Sequence, residues 1–170
     1  MTEPDQLPLG PQYSFDTSAF INGRQDIFRP PMFEPIWDAI AHMIASGRVL
    51  AVDEVKRVLK RKDDEVSRWA QTKQGLFVPL RHDIQQATKE VLRACPRLMA
   101  QHGANRNSAD PFVVGLALAR GRTVVTQETP GRSDRRPRIP DACTEVGVPC
   151  TTLPEFVSVQ GWQITLGAGT

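Results

Sequence analysis

Residues 108–128, "SADPFVVGLALARGRTVVTQE", contain the clearest change of secondary structure in the sequence. The first half predicts a helix over residues 111–120 that begins at a proline, where a missing N–H costs nothing. Gly121 then predicts a turn, and the β-branched residues that follow predict a strand over 123–126. A helix that leads directly into a strand is the repeating unit of an α/β fold.

The same alternation extends in both directions from this unit. Apolar residues at helical spacing predict helices over 34–46, 54–62, 63–72 and 83–99, a short helix after Pro140 and a last one from Pro154. Strands are predicted at 13–15 and near 148–152, whereas 48–52 and 75–80 are short apolar segments that fit either type. Strands separated by helices indicate a three-layer α/β/α sandwich with a central parallel sheet.

The composition fits one domain. The chain has 170 residues, of which 40% are hydrophobic and 24% charged, enough for a single core. We expect this domain at 13–162, between a flexible proline-containing leader (1–12) and a flexible glycine-containing tail (163–170). The formal net charge of +2 is small, so any affinity for nucleic acid must come from local clusters.

The cysteines and the hydropathy pattern indicate a cytoplasmic protein. Cys95, Cys143 and Cys150 are odd in number and lack C-x-x-C spacing, which favours reduced thiols in the core over disulfides. No segment approaches the ~18 apolar residues of a membrane helix, and the N-terminus lacks a signal-peptide pattern.

Acidic side chains occur where the predicted strands end. Asp16 follows the first strand, and Glu128 closely follows the strand at 123–126. Asp110 and Asp141 stand at the beginning of helices that face the same rim. Because ligands of open α/β sheets bind outside the carboxyl ends of the strands, we expect these carboxylates to lie near one another.

Each acid also has a purely structural interpretation. Asp110 before Pro111 is typical of a helix N-cap, and Asp141 in a first turn complements the helix dipole. Asp16 fits the start of a turn, and Glu54 fits an exposed glutamate at the start of a helix. The functional interpretation therefore depends on whether these groups meet at one edge.

A cluster of carboxylates requires a cation. Two carboxylates ~4 Å apart repel by about 4 kcal/mol at an effective dielectric constant near 20. Oxygen ligands without histidine or cysteine favour Mg²⁺ or Mn²⁺ over zinc, and such ions support phosphodiester hydrolysis. We expect the hydroxyls of Thr17, Ser18 and Thr126 to hold the carboxylates or metal-bound waters.

Four segments together resemble a family: "YSFDTSAFI", "EVKRVLKRKDDEVSRWA", "ADPFVVGLALARGRTVVTQE" and "IPDACTEVGVPCTTLPEF". In this order they look like a PIN-like domain of an uncharacterised bacterial branch related to the VapC-type toxins. The resemblance implies a PIN-like α/β/α fold, a Mg²⁺ or Mn²⁺ site and endoribonuclease activity. It places the site acids at Asp16, Asp110 and Asp141, with Glu128 beside them. It also implies an RNA substrate and an antitoxin protein as partner, and it leaves a homodimer open.

One position departs from the family pattern. The branch usually carries a metal-site glutamate where this chain has Val58. Glu54 lies one helical turn earlier on a similar face and is the candidate substitute. The alternative is a degenerate PIN-like domain that binds RNA or a protein without cutting. A phosphoacceptor or nucleotide-binding domain is disfavoured, because no glycine-rich phosphate loop is present.

An arginine-rich stretch contains the predicted strand at 123–126 and the loop after it. Residues 120–138 contain six arginines and two acids. The candidate RNA-binding residues are Arg132, Arg135, Arg136 and Arg138, which have the chemistry to contact a phosphate backbone. A solvated surface loop explains the same composition equally well.

Overall fold

The computed structural model describes residues 8–62, 64–99, 109–132 and 135–167. These residues form five strands and eight α-helices, with a π-helix at Gly23–Ile27 and a 3-10 helix at Pro96–Leu98. The strands are β1 (Tyr13–Phe15), β2 (Val49–Val52), β3 (Phe77–Val78), β4 (Thr123–Val125) and β5 (Cys150–Thr151). The helices are α1 (Thr17–Asn22), α2 (Glu34–Ala45), α3 (Asp53–Lys62), α4 (Asp64–Gln71), α5 (His82–Ala94), α6 (Asp110–Arg120), α7 (Ile139–Val146) and α8 (Leu153–Gln160).

The strands form one parallel sheet in the order β3-β2-β1-β4-β5. β1 is central, and its first residue Tyr13 pairs with Val49 of β2 on one side and Thr123 of β4 on the other. The predicted α/β class with a central parallel sheet is therefore confirmed. Because the strands are parallel, their carboxyl ends lie along one edge.

Alternating side chains of β1 contact helices on opposite faces of the sheet. The rings of Tyr13 and Phe15 lie 4.7 and 5.1 Å from that of Phe156 in α8. Ser14 points the other way and donates a 2.9 Å hydrogen bond to the carbonyl of Val113 in α6. The sheet is thus the middle layer of an α/β/α sandwich.

The layer that contains α8 has an aromatic centre. Trp37 of α2 is fully buried and donates a 2.7 Å hydrogen bond to the carbonyl of Phe28. The guanidinium of Arg24 lies 5.1 Å from the Trp37 ring and 4.8 Å from the Trp69 ring, and it pairs with Glu65 at 2.7 Å. These contacts attach the π-helix, which continues α1, to the rest of the layer.

The opposite layer depends on one glycine. Gly115 in α6 faces Thr88 of α5, and a Cβ atom added at position 115 would collide with the Thr88 hydroxyl. The absent side chain lets the two helices approach closely. This packing places the beginning of α6, with Asp110, at the carboxyl edge of the sheet.

The short ambiguous segments become strands. Residues 48–52 contain β2, whose four residues are all buried, and residues 75–80 contain β3. Cys95 and Cys143 are buried as expected, but the expectation for Cys150 is wrong because this residue is exposed. It begins β5, which is an edge strand and therefore has a neighbour on one side only.

Among the described residues, no helix combines the length and the apolar character needed to cross a bilayer. Residues 1–7 of the expected leader and 168–170 of the expected tail lie outside the described ranges. Within the leader, the carbonyl of Pro11 accepts a 3.1 Å hydrogen bond from Arg48.

Candidate functional site

Asp16 lies at the carboxyl end of the central strand and is completely buried. It is the N-cap of α1, and its Oδ2 accepts hydrogen bonds from the hydroxyls of Ser18 at 2.6 Å and Thr126 at 2.9 Å. The backbone N–H of Ser18 adds a longer contact of 3.4 Å. Several donors on one oxygen fix the direction of the carboxylate.

The residue that follows the neighbouring strand β4 supplies one of these three bonds. The N–H of Asp16 donates to the carbonyl of Val125 at 2.9 Å, so Thr126 follows directly beside it. The Ser18 hydroxyl also accepts a bond from the N–H of Gln127 at 2.9 Å, and the Thr126 hydroxyl accepts one from the N–H of Glu128 at 3.1 Å. The loop after β4 is therefore attached to the beginning of α1.

Buried oxygen atoms without a partner accumulate at this edge. Among the described residues, no hydrogen-bond partner exists for Oδ1 of Asp16, Oγ1 of Thr17, Oε2 of Glu54 or Oδ1 of Asp110. Leaving such an atom unpaired costs about 1–3 kcal/mol, and more for a charged group. Four of them at neighbouring helix starts indicate a site for a polar ligand.

The charges at this edge repel one another. Burial first, and then the negative charges of Asp16 and Glu128, raise the pKa of Asp110 from its usual 3.8 to about 9, while Lys62 acts in the opposite direction. Burial and the charge of Asp16 also raise the pKa of Glu128. Asp16, Asp110 and Glu128 thus influence one another electrostatically, although they are distant in sequence.

The capping interpretation of Asp110 is wrong. The N-cap of α6 is Ala109, and Asp110 is the first helical residue, followed by Pro111. A side chain at that position is already inside the helix, and its Oδ1 has no partner in the part of the chain that the structure describes. Capping therefore does not account for this oxygen.

Glu54 is not the exposed glutamate that its position suggested, because it is only 7% exposed. Its Oε1 lies 3.5 Å from the guanidinium of Arg57, one turn further along α3. Val58 is 1% exposed and belongs to the hydrophobic core. An acid at position 58 would therefore bury a charge, so Glu54 is the better placed carboxylate on this helix.

Asp141 has a defined structural role. Its Oδ2 accepts 2.7 Å hydrogen bonds from the N–H groups of Gly131 and Arg138, the second of which closes a capping box at the start of α7. Glu128 contributes to the same helix end, since its Oε2 accepts a 3.0 Å bond from the N–H of Ile139. The charge of Asp141 also raises the pKa of Glu128, so the two acids are neighbours.

The four candidate RNA-binding arginines, Arg132, Arg135, Arg136 and Arg138, are all exposed. Arg138 donates a 3.2 Å hydrogen bond to the hydroxyl of Thr129. The loop folds back at Gly131, where a Cβ atom would collide with the carbonyl of Arg136. The loop therefore presents several cations to solvent beside the N-terminal end of α7.

A protein-family model described as a domain of unknown function (DUF4411) matches residues 13–164. The chain belongs to the DUF4411 family. A search of curated proteins finds no match to it. The matched range contains the whole sheet and every acid discussed above, so the acidic edge is part of the DUF4411 domain itself.

Within the described ranges of this DUF4411 chain, no group of three or more histidine, cysteine, aspartate or glutamate side chains is arranged to hold a metal ion. Asp16 and Asp110 nevertheless offer two buried carboxylate oxygens without partners. Mg²⁺ keeps several waters and is commonly bound through only one or two carboxylates. These two oxygens have the chemistry to ligate a hard divalent cation.

Sequence reasoning missed Lys62 at the DUF4411 site. This residue lines a cavity with Thr17 and Ser18, and its charge lowers the pKa of Asp110. The signal was its position two helical turns after Glu54, which places both residues on a similar face of α3. Sequence reasoning also gave no role to Gln127, whose Oε1 accepts a 2.6 Å bond from the N–H of Leu153.

Proposed function

We propose that this DUF4411 protein is a Mg²⁺- or Mn²⁺-dependent endoribonuclease with a PIN-like site, and that it acts in the cytoplasm as the toxin of a toxin–antitoxin pair. Asp16 and Asp110 are the principal metal ligands in this proposal. Glu54 and Glu128 are the flanking acids, and Asp141 holds the loop after β4.

One observation carries the proposal. Asp16 Oδ1 and Asp110 Oδ1 are both buried and unpartnered at the carboxyl edge of a parallel sheet. Charge repulsion and burial keep the pKa of Asp110 near 9, which is an unfavourable arrangement for a protein without a compensating cation. A divalent ion held by Asp16 and Asp110 would offset both costs.

Each group at the site has a different role in the proposed phosphodiester hydrolysis. A bound Mg²⁺ or Mn²⁺ supplies charge neutralisation for the phosphate and activation of water. Ser18 and Thr126 hold Oδ2 of Asp16, which leaves its Oδ1 oriented for the ion. Burial raises the pKa of Asp110 in the metal-free protein, so a divalent ion held by this carboxyl would favour its ionised form.

RNA is the substrate that the charges around the site favour. The exposed arginines Arg132, Arg135, Arg136 and Arg138 are suited to phosphate oxygens, which they can contact in bidentate pairs. The toxin role rests on the resemblance to VapC-type toxins, and the antitoxin in this proposal covers the acidic edge and the arginine-rich loop. A homodimer is compatible with the same surfaces.

The proposal is tested by incubating the purified protein with structured RNA in Mn²⁺, Mg²⁺ or EDTA. Wild type should cut the RNA only with a divalent ion. Asp16→Asn should lower the cleavage rate by about 10²–10³-fold, which corresponds to about 3–4 kcal/mol of transition-state stabilisation.

The matched control is Asp38→Asn, which changes an exposed aspartate of α2. It should cut at the wild-type rate, and circular dichroism should show the same fold for all three proteins. Cleavage that persists at full rate in Asp16→Asn, or in EDTA, would reject the proposed site.

Burial of Val58 and the absence of a complete three-acid group among the described residues favour a second candidate, a degenerate PIN-like domain that binds RNA or a protein. In that case the wild-type protein should retard RNA in a gel without cutting it. Asp16→Asn should then retard the RNA equally well.

A further inference from the structure

A polar cavity lies directly beside the acidic edge. It has a volume of about 310 Å³ and is lined by Thr17, Ser18, Ile21, Asn22, Gln25 and Lys62. This volume is at the lower end of the ~300–1,000 Å³ that small-molecule pockets span. Ser18 connects the cavity to the site, because its hydroxyl donates the 2.6 Å bond to Asp16.

One face of the first helix forms most of the wall. Ser18, Ile21, Asn22 and Gln25 are three or four residues apart, so their side chains project on the same side. Gln25 belongs to the π-helix Gly23–Ile27, a widened helical turn of a kind that is frequent at functional sites. Ile21 supplies the apolar part of the wall.

Two features of the cavity indicate a ligand. Thr17 is 1% exposed, and its hydroxyl has no hydrogen-bond partner among the described residues although it lines the cavity. Lys62, at the end of α3, adds a cation to the lining. A buried hydroxyl, two side-chain amides and an ammonium group are together suited to a group that carries both a polar ring and a negative charge.

We infer that this cavity binds one nucleotide of single-stranded RNA next to the phosphate that is cut, with Lys62 on its phosphate and the amides of Asn22 and Gln25 on the edge of its base. The inference rests on the proposed ribonuclease function, which it deepens by naming the residues that select the substrate. Amide side chains offer a donor and an acceptor together, and unstacked RNA bases are read in this way on their exposed edges.

The two kinds of contact give different signatures in binding experiments. We would measure the affinity of 5′-labelled RNA tetranucleotides of the four homopolymer sequences by fluorescence anisotropy in EDTA, over a series of salt concentrations. Lys62→Met should weaken binding about tenfold for all four sequences and lower the salt slope by about 0.7. Asn22→Ala and Gln25→Ala should reduce the difference between sequences while leaving the salt slope unchanged.

Lys60→Met is the matched control, since Lys60 is an exposed lysine of the same helix that does not line the cavity. It should bind as wild type does. The three cavity positions 22, 25 and 62 are themselves exposed, so these substitutions are not expected to unfold the protein.

Cleavage of a random-sequence RNA in Mn²⁺ separates this inference from the proposed function. Sequencing of the wild-type products should show a base preference beside the cut that Asn22→Ala removes, and Lys62→Met should raise KM. Cleavage with the same preference and KM in every variant would overturn the cavity assignment while leaving the nuclease intact. Wild-type protein that binds through Lys62 and Asn22 but never cuts would overturn the nuclease while leaving the cavity assignment in place.

Discussion

Strands β1, β2 and β4 have a buried charged residue at each edge of the sheet: Arg122 at their amino ends and Asp16 at their carboxyl ends. Only Arg122 has nearly all of its polar atoms hydrogen-bonded. At the amino ends, Arg122 is 5% exposed and donates to the carbonyls of Tyr13, Gly47 and Arg48 at 3.1–3.4 Å. Its Nε alone lacks a partner among the described residues. At the carboxyl ends, Asp16 has one fully bonded oxygen and one without a partner.

The difference separates a structural charge from a functional one. Arg122 connects the beginnings of three adjacent strands, and its terminal nitrogens donate to backbone carbonyls around it. Asp16 and Asp110 each retain a buried acceptor that the protein does not use. We therefore expect substitution of Arg122 and substitution of Asp110 to change the free energy of unfolding in opposite directions.

The largest effect on stability is expected at the amino edge. Arg122→Leu should lower the free energy of unfolding by about 3 kcal/mol, because three carbonyls lose a charged donor. Urea unfolding followed by circular dichroism measures this change. Arg120→Leu is the control: its partly exposed ion pair with Asp83, 3.0 Å long, should contribute less than about 1 kcal/mol. An equal loss of unfolding free energy in the two variants would show that the hydrogen bonds of Arg122 to the strands have no special structural role.

The carboxyl edge should respond with the opposite sign. The folded-state pKa of Asp110 is raised to about 9, so its contribution to stability is complete below pH ~4 and is lost as the pH rises toward 9. In the metal-free protein at pH 8, Asp110→Asn should therefore raise the free energy of unfolding by about 2 kcal/mol, less than ~1.4 kcal/mol per pKa unit would give because solvent reaches part of the side chain.

The gain from Asp110→Asn should shrink as the pH falls toward 4, and addition of Mn²⁺ should stabilise wild type more than the variant. Thermal unfolding at pH 4.5 and 8, with and without Mn²⁺, measures both effects. A variant that is less stable than wild type at pH 8 would show that the buried carboxyl is not under electrostatic strain.

Substitution of Glu54 tests whether its unpartnered carboxylate oxygen belongs to the proposed metal site. If its buried Oε2 faces the ion, Glu54→Gln should raise the Mn²⁺ concentration required for half-maximal cleavage about tenfold. Glu90→Gln, at an exposed position of α5, should have no effect. An unchanged Mn²⁺ requirement in Glu54→Gln would exclude this glutamate from the metal site.

The smallest change is expected for the acid that caps a helix. Asp141→Ala removes the acceptor of two 2.7 Å backbone bonds and should cost about 1 kcal/mol of unfolding free energy. The cleavage rate should stay within about threefold of wild type. A loss as large as that of Asp16→Asn would instead assign Asp141 to the catalytic centre.

Local patterns predicted most of the fold. The transition from helix to strand around Gly121 is visible in the sequence because Gly121 adopts a left-handed φ of 62° that suits glycine. Segments 48–52 and 75–80 were ambiguous, since a short buried run satisfies helix and strand equally well. Their pairing with neighbouring strands, as in Ala51 with Phe77, decided the outcome.

The candidate site was less predictable than the fold. The sequence alone predicted that Asp16, Asp110 and Glu128 lie at one edge. It could not distinguish an acid that caps a helix from one whose carboxylate oxygen has no hydrogen-bond partner. Asp110 looked like an N-cap and is not one, whereas Asp141, predicted as a first-turn acid, accepts the N–H of the N-cap residue Arg138 in a capping box. The two differ in which backbone N–H groups lie within reach, and a single sequence does not contain that information.

The sequence by itself determined the alternation of helices and strands and the residue types available at the sheet edge, because propensity and periodicity act over a few neighbouring residues. Only the tertiary structure decided which of those carboxylates are satisfied, since one of the two hydroxyl partners of Asp16 lies 110 residues away. It also decided that position 58 is core and that Lys62 reaches the cavity beside Ser18. Hydrogen bonds and burial depend on contacts between distant segments, and those contacts exist only once the layers have packed.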